Sequence, residues 1–365
     1  MTPSTEAIPV TGGSSKPDAP EHRVRLTPRR VLVMVLLAAV LLVGVAFPFV
    51  FSNPAVTSVA FFTLLYVGAS SAWNMFSGYT GYMALGNAVF FGSGAYFFAN
   101  IVVHLKLHAG AGLFVYVPLA GLFAAGVALP VGWLALRTRR HTFVVVTIAI
   151  FFIFQLLAFN LTALTNGSFG MQLPFPSWGA ATYNDYFYMA ALAVAILAVA
   201  MSWAVRRSSF GLQLLAIRDD EDRARGLGVR TERAKLLTFA LTAFLTGMCG
   251  AIYAYYLGSI YPPFAFEAIF DLTVALMAFL GGLGTVSGPV VGALILEPLQ
   301  QYLTLRFTGG GLSLIMFGVL FLAVIRFMPE GIVPSMTGLL RHRRDAGTTL
   351  PIDAPADMPG GGVSQ

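Results

Sequence analysis

Apolar runs of membrane-spanning length follow one another along most of the chain, separated by short polar or charged segments. Crossing about 30 Å of hydrocarbon takes roughly 17–25 apolar residues in helical form. That rule predicts spans at 31–51, 56–76, 87–103, 111–136, 142–163, 186–205, 236–257, 269–287, 288–305 and 311–328. The division before 288 rests on Gly281-Gly282-Leu283-Gly284 and Gly288-Pro289 rather than on charge. Arg23, Arg25, Arg29 and Arg30 ahead of Val31–Phe51 have the look of a signal peptide. The apolar run is longer than the roughly 7–15 residues of such a segment and no small-residue cleavage site follows, so it reads as a retained span. Residues 1–30 and 336–365 read as disordered tails, rich in Pro, Ser, Thr and Gly at their extremities with no apolar face to bury. They flank a membrane domain at 31–335.

Composition agrees. Hydrophobic residues are 57% of the chain, charged residues 10%, and mean hydropathy is +0.77. Soluble domains carry about 25% charged residues, so a soluble enzyme, a nucleic-acid binder and a secreted disulfide scaffold are all excluded. The single cysteine, Cys249, sits in an apolar run and reads as a small packed thiol.

The net charge of +6 acquires meaning from its distribution. With ten spans and both termini cytoplasmic, every basic residue except Lys106 and Arg306 falls in an inside segment. This is the positive-inside pattern, and the opposite parity scatters the clusters across both faces. Acids are sparser: none occurs between Glu21 and Asp185, so the first five spans hold no carboxylate proton relay. Glu267 and Asp271 are expected at outer span ends, close to water. Glu297 lies nearer mid-span, where a charge must face a cavity, pair, or be neutralised; a helix–helix hydrogen bond beside Pro298 is the plainer expectation.

The longest inside loop, 206–235, contains Arg206-Arg207-Ser208-Ser209-Phe210-Gly211 and then Ala216-Ile217-Arg218-Asp219-Asp220-Glu221-Asp222-Arg223-Ala224-Arg225-Gly226-Leu227-Gly228. A helix from Leu212 to Arg225 is expected, ending at Gly226 or Gly228, with Asp219, Asp222 and Arg223 pairing along its surface. On these facts alone a solvated connecting helix explains the loop. The acidic run does not read as a metal site, because the acid-free first half supplies no second motif and the arginines neutralise it. The chain cannot hydrolyse ATP by itself: Lys16, Lys106 and Lys235 are preceded by Ser, Leu and Ala, not by the glycine of a phosphate-cradling loop. The five histidines are dispersed and form no metal spacing or nucleophile triad.

Two glycine-dense stretches remain, Gly78–Tyr96 (with Gly86, Asn87, Gly92 and Gly94) and Gly281–Ala293 (with Gly281, Gly282, Gly284 and Gly288). Small residues permit either close helix packing or broken helices around a solute cavity. Thr165-Asn166-Gly167-Ser168-Phe169-Gly170 opens an outside loop, 164–185, that lacks Lys and Arg and carries Phe175, Trp178 and Tyr183. These aromatics suit either an interfacial anchor or a docking surface.

Together these blocks resemble the LivM-type permease subunits of branched-chain amino acid ABC importers, over roughly residues 56–335. Ala84–Tyr96 is similar to that family's Ser-Leu-Gly-His-Ala-Ala-Phe-Phe-Gly-x-Gly-Ala-Tyr, with Ala84 and Asn87 departing from its Ser and His. Thr165–Gly170 resembles its Thr-Gly-Gly-x-x-Gly turn, and Leu280–Ala293 its Leu-Gly-Gly-x-Gly-Thr-x-x-Gly-Pro-x-x-Gly-Ala block. The run from Phe210 through Gly228 looks like its cytoplasmic signature, and Pro329-Glu330-Gly331 stands at its Pro-x-Gly.

The resemblance implies an all-α ABC importer permease fold in a bacterial cytoplasmic (inner) membrane, and no enzyme. ATP and Mg would be bound by separate cytoplasmic ATPase subunits, with no cofactor in this chain. Ala216, Ile217, Arg218, Asp219, Asp220, Glu221, Ala224, Gly226 and Gly228 would form the loop that couples to them. A second homologous permease and an extracytoplasmic solute-binding protein complete the expected partners. The expected pathway residues are Gly86, Asn87, Gly92, Gly94, Thr165, Gly167, Gly170, Gly281, Gly282, Gly284, Gly288 and Glu297. Branched-chain amino acids are the implied cargo. Permeases for urea and short amides share similar motifs, and a self-sufficient carrier or channel is the rival class.

Overall fold

The computed structural model describes residues 42–51, 53–306, 315, 318–319, 322–323, 326 and 331–335. Contacts divide the chain into Met1–Ala46 and Phe47–Gln365. Of the first unit, residues 42–46 are described and are helical. The tails and almost all of the expected span 311–328 lie outside the described residues.

Every expected span from 56–76 through 288–305 coincides with a helix. The long ones are α1 (Pro54–Trp73), α2 (Ala88–His104), α3 (Val117–Ala135), α4 (Arg140–Asn160), α5 (Ala180–Arg207), α8 (Thr231–Leu257), α9 (Ala268–Gly281) and α10 (Gly288–Arg306). Two short helices, α6 (Ser209–Asp219) and α7 (Glu221–Gly226), occupy the loop between α5 and α8. Among the described residues, 6 helical segments are long and apolar enough to cross a membrane, and α2 is a shorter apolar helix. The chain is a multi-pass, all-α membrane protein; among the described residues its strand pairing is a short antiparallel pair, β1 (Met171–Gln172) with β2 (Ser259–Ile260).

Helix α8 is the centre of the packing, flanked by α2 and α3, while α1 packs on α5 and α10, and α9 on α10. Hydrophobicity cannot choose neighbours where the surroundings are equally apolar, so backbone proximity does. A Cβ on Gly250 would lie 2.0 Å from the Phe91 carbonyl oxygen, and one on Gly94 2.3 Å from that of Gly247. These absent side chains let α2 and α8 touch along their backbones.

The break after α9 is a true turn. Gly282 and Gly284 have φ of +126° and +80°, a region L side chains rarely adopt, and Thr285 donates to the Gly282 carbonyl at 2.8 Å. Expected as an uncertain division before residue 288, it occupies 282–287 and lets α10 fold back on α9.

The loop 206–235 differs from the single helix expected through Leu212–Arg225. Ser208 caps α6 by accepting the Gly211 N–H at 3.2 Å. Asp220 leaves the helical region and caps α7, accepting the N–H groups of Asp222 and Arg223 at 3.0 Å each. An Asx residue competes for backbone donors better than it continues a helix, so the loop is two helices joined at Asp220. Gly228, at φ +87°, follows α7 as expected.

Candidate functional site

The three blocks singled out in the sequence converge on Arg218. Its Nη1–H donates to the Gly78 carbonyl at 2.9 Å. Gly78 ends a π-helical turn, Asn74–Gly78, that continues α1; the helix stops two residues later, carbonyls in a last turn lack a ladder partner, and the guanidinium supplies one. Across from it, a Cβ on Gly284 would lie 2.3 Å from Nη1, so glycine at 284 is what leaves room for Arg218. Asn74 clasps the same turn, donating to the Thr285 carbonyl at 2.8 Å and accepting the Gly284 N–H at 2.7 Å.

Arg140, at the start of α4, closes α6 from the other side. Its Nη2 donates to the carbonyls of Ile217 at 2.5 Å and Arg218 at 2.7 Å, pairing a cation with the negative end of α6. Ile217 and Ala224 are buried, as is Leu214, so the inner faces of both short helices are apolar anchors.

Glu221 fastens α7. It accepts Lys235 Nζ at 2.6 Å and also the Tyr82 hydroxyl. Lys235 keeps only 2% of its side-chain surface and Glu221 17%. Burial alone would raise the Glu221 pKa, but the hydrogen bonds from Lys235 and Tyr82 and the charges of Lys235 and Arg225 outweigh it and hold it below its usual value. Tyr82 is pushed upward, first by burial and then by this carboxylate. The surface pairs are Asp220–Arg223 at 3.0 Å and Glu221–Arg225 at 3.7 Å, not the set expected from Asp219, Asp222 and Arg223. Asp219, Asp222, Arg223, Gly226, Leu227 and Gly228 face outward.

From Tyr82 the chain runs non-helically to Asn87 through the helices. Ala84 accepts Trp73 Nε1–H at 2.7 Å, and its N–H meets Ser77 Oγ at 3.2 Å. Leu85 N–H meets Thr147 Oγ1 at 3.3 Å, and Asn87 Nδ2 donates to Thr246 Oγ1 at 3.2 Å. Thr246 lies in the middle of α8, so α2 begins level with the interior of a span. Irregular backbone at that depth requires protein partners, and these side chains provide them.

Helix α2 starts against Asp271, whose Oδ1 accepts the Ala88 N–H at 2.9 Å. Asp271 is not at a watery outer end as expected; it is 3% exposed. A one-turn helix, Pro262–Ala265, precedes α9, and Asp271 occupies the first turn of α9, packed against the start of α2. A carboxylate there complements the N-terminal dipoles of both α9 and α2. Nothing in the sequence pointed to this pairing beyond the scarcity of acids.

The remaining expected pathway residues lie at several places. Cβ atoms on Gly86 and Gly92 would strike the Thr147 carbonyl and Phe266, one on Gly281 the Gly288 backbone, and one on Gly288 the Gly282 carbonyl. Thr165 donates to the Ala158 carbonyl at 2.6 Å, and Gly167 and Gly170 take positive φ in the turn leading to β1. Phe175 stacks on Tyr183, and Trp178 lies against Tyr186. Glu297 lines a cavity. Its Oε1 accepts Gln301 Nε2 at 3.0 Å, so this hydrogen bond lies within α10 rather than between helices.

Residues 55–325 match the family described as branched-chain amino acid transport system / permease component. The chain belongs to that family. It is 28% identical over 338 residues to the high-affinity branched-chain amino acid transport system permease protein LivM of Escherichia coli, covering 85% of this chain and 77% of the relative. The Salmonella typhimurium LivM is 28% identical over 326 residues, 82% of this chain and 74% of the relative. The autoinducer 2 import system permease protein LsrC of Photorhabdus luminescens is 29% identical over 136 residues, 36% of this chain and 41% of that protein. No solved structure matches the chain.

Proposed function

We propose that this permease forms half of a branched-chain amino acid importer of the ABC class in the bacterial inner membrane, moved by separate cytoplasmic ATPase subunits that grip α6 and α7. The observation that carries the reading is the Arg218 junction. A push on the outward residues of these helices passes through Arg218 to Gly78 and the 282–285 turn, and through Glu221 to Tyr82 and the re-entrant segment. A second permease copy or homologue completes the pore, and a solute-binding protein delivers cargo from outside. The two LivM relatives support the branched-chain cargo; the relatives named for autoinducer 2 import favour a second reading in which this member carries another small solute.

The test separates gripping from transmission. Reversing charge at the outward Asp219 and Asp222 should release the ATPase subunits in detergent pull-down. Arg218→Ala should retain them yet lower solute-stimulated ATP turnover about tenfold or more, as loss of a charged hydrogen bond predicts. Ion-gradient-driven uptake by this chain alone would overturn the proposal in favour of a self-sufficient carrier.

A further inference from the structure

Beside α10 lies a cavity of about 240 Å³ bounded by α1, α2, α8, α9 and α10. Its polar wall is Glu297, Gln300, Gln301 and Glu267; the rest is aromatic, including Tyr66, Tyr253 and Phe270, apart from Leu65. Glu297 is 2% exposed. Gln301 occupies its Oε1, whereas among the described residues its Oε2 has no partner, and neither has Gln300 Oε1. Two buried acceptors thus meet at one cavity, and among the described residues no lysine or arginine lines it. Buried acceptors left unpaired are costly, and an ionisable residue within a span faces a partner or a cavity and marks a solute pathway. The complement is a ligand with several N–H donors and a positive charge. Aromatic faces attract such a cation and also accept an apolar side chain.

We infer that this cavity is a binding station for a primary ammonium carried by an apolar solute, with Glu297 and Gln300 taking the N–H donors and the aromatic wall taking the apolar part. The inference rests on the permease reading and assigns its solute a place. Recognition is of the ammonium: the cavity offers no cation to a carboxylate.

The experiment uses the complete transporter in proteoliposomes, with leucine as the probe. Glu297→Gln preserves shape and an acceptor for Gln301 but removes the charge. Leucine uptake should fall about tenfold or more, as the weakening of a charged hydrogen bond implies, while ATP turnover stimulated by loaded binding protein persists. Wild-type uptake in that variant overturns the station. A second measurement guards against a variant that assembles poorly: in the wild-type permease–ATPase assembly in detergent, 3-methylbutylamine should raise Tm and 4-methylpentanoate should not. Equal stabilisation by the amine and the acid overturns the station as well. ATP-independent leucine uptake by wild type would instead defeat the permease reading, and the amine-against-acid comparison still judges the station.

Discussion

At the scale of single residues, the Glu221–Lys235 pair shows how a charge is made to hold a short helix. Lys235 is buried at the start of α8, and its partner sits on α7. Breaking such a pair leaves one charge uncompensated, so Lys235→Met should cost about 3 kcal/mol, near the lower end of the range because Glu221 stays partly wet. Adding Glu221→Gln should recover most of that loss; Tm of the purified protein in detergent reports both. The pH dependence follows from the sign of the Glu221 shift. Its folded pKa lies below the usual 4.5, so its contribution is fully present above that pH and is lost as pH falls through the depressed value. The difference in Tm between wild type and Glu221→Gln should therefore vanish on acidification and be flat near neutrality. The sequence displayed the charges of this loop, but not their roles. Arg218 and Glu221 read as members of a solvated connecting helix; folding turns both toward partners far away in the chain or on the next helix, Arg218 to the Gly78 carbonyl and Glu221 to Lys235.

At the scale of helices, the glycine blocks are explained by contact distance. Gly250→Ala would put a methyl group against the Phe91 carbonyl, and overpacking of this kind costs about 1–3 kcal/mol. Gly126→Ala, on α3 with open space around it, should leave Tm unchanged or raise it slightly, since Ala is the better helix former by up to about 1 kcal/mol, and serves as the control. The same blocks had two open readings in the sequence, packing or a broken-helix cavity: α2 and α8 pack closely through Gly94, Gly247 and Gly250, while 81–87 is irregular backbone leading into α2 and is packed on protein. Period and composition cannot separate these outcomes, since both need small residues. The expected outer position of Asp271 failed for a related reason. Counting residues from a span end locates a residue along its helix but not what covers it, and the start of α2 packs on Asp271.

For the molecule as a whole, orientation is the property that the charges predict and labelling can check. Leu227 is 85% exposed after α7, and Phe169 is 84% exposed in the turn before β1. The native thiol, Cys249, is buried, so background reaction with a membrane-impermeant maleimide should be low. Leu227→Cys should react only from the cytosolic side and Phe169→Cys only from outside, measured in right-side-out and inverted vesicles. Reaction of both from one side would refute the topology with cytoplasmic termini.

Membrane residence and the positions of the helices from 56 to 305 were available from the residues in order, and the charges set the orientation to expect, because transfer of an apolar run into lipid and the placement of its flanking arginines are properties of local stretches. The meeting of Gly78, Arg218 and Gly284, the burial of Asp271 at the start of α2, and the cavity beside Glu297 belong to the tertiary structure. They join residues far apart in the chain, and in an apolar medium the choice of neighbour is made by backbone approach and by the matching of buried donors to acceptors, neither of which is visible until the helices are packed.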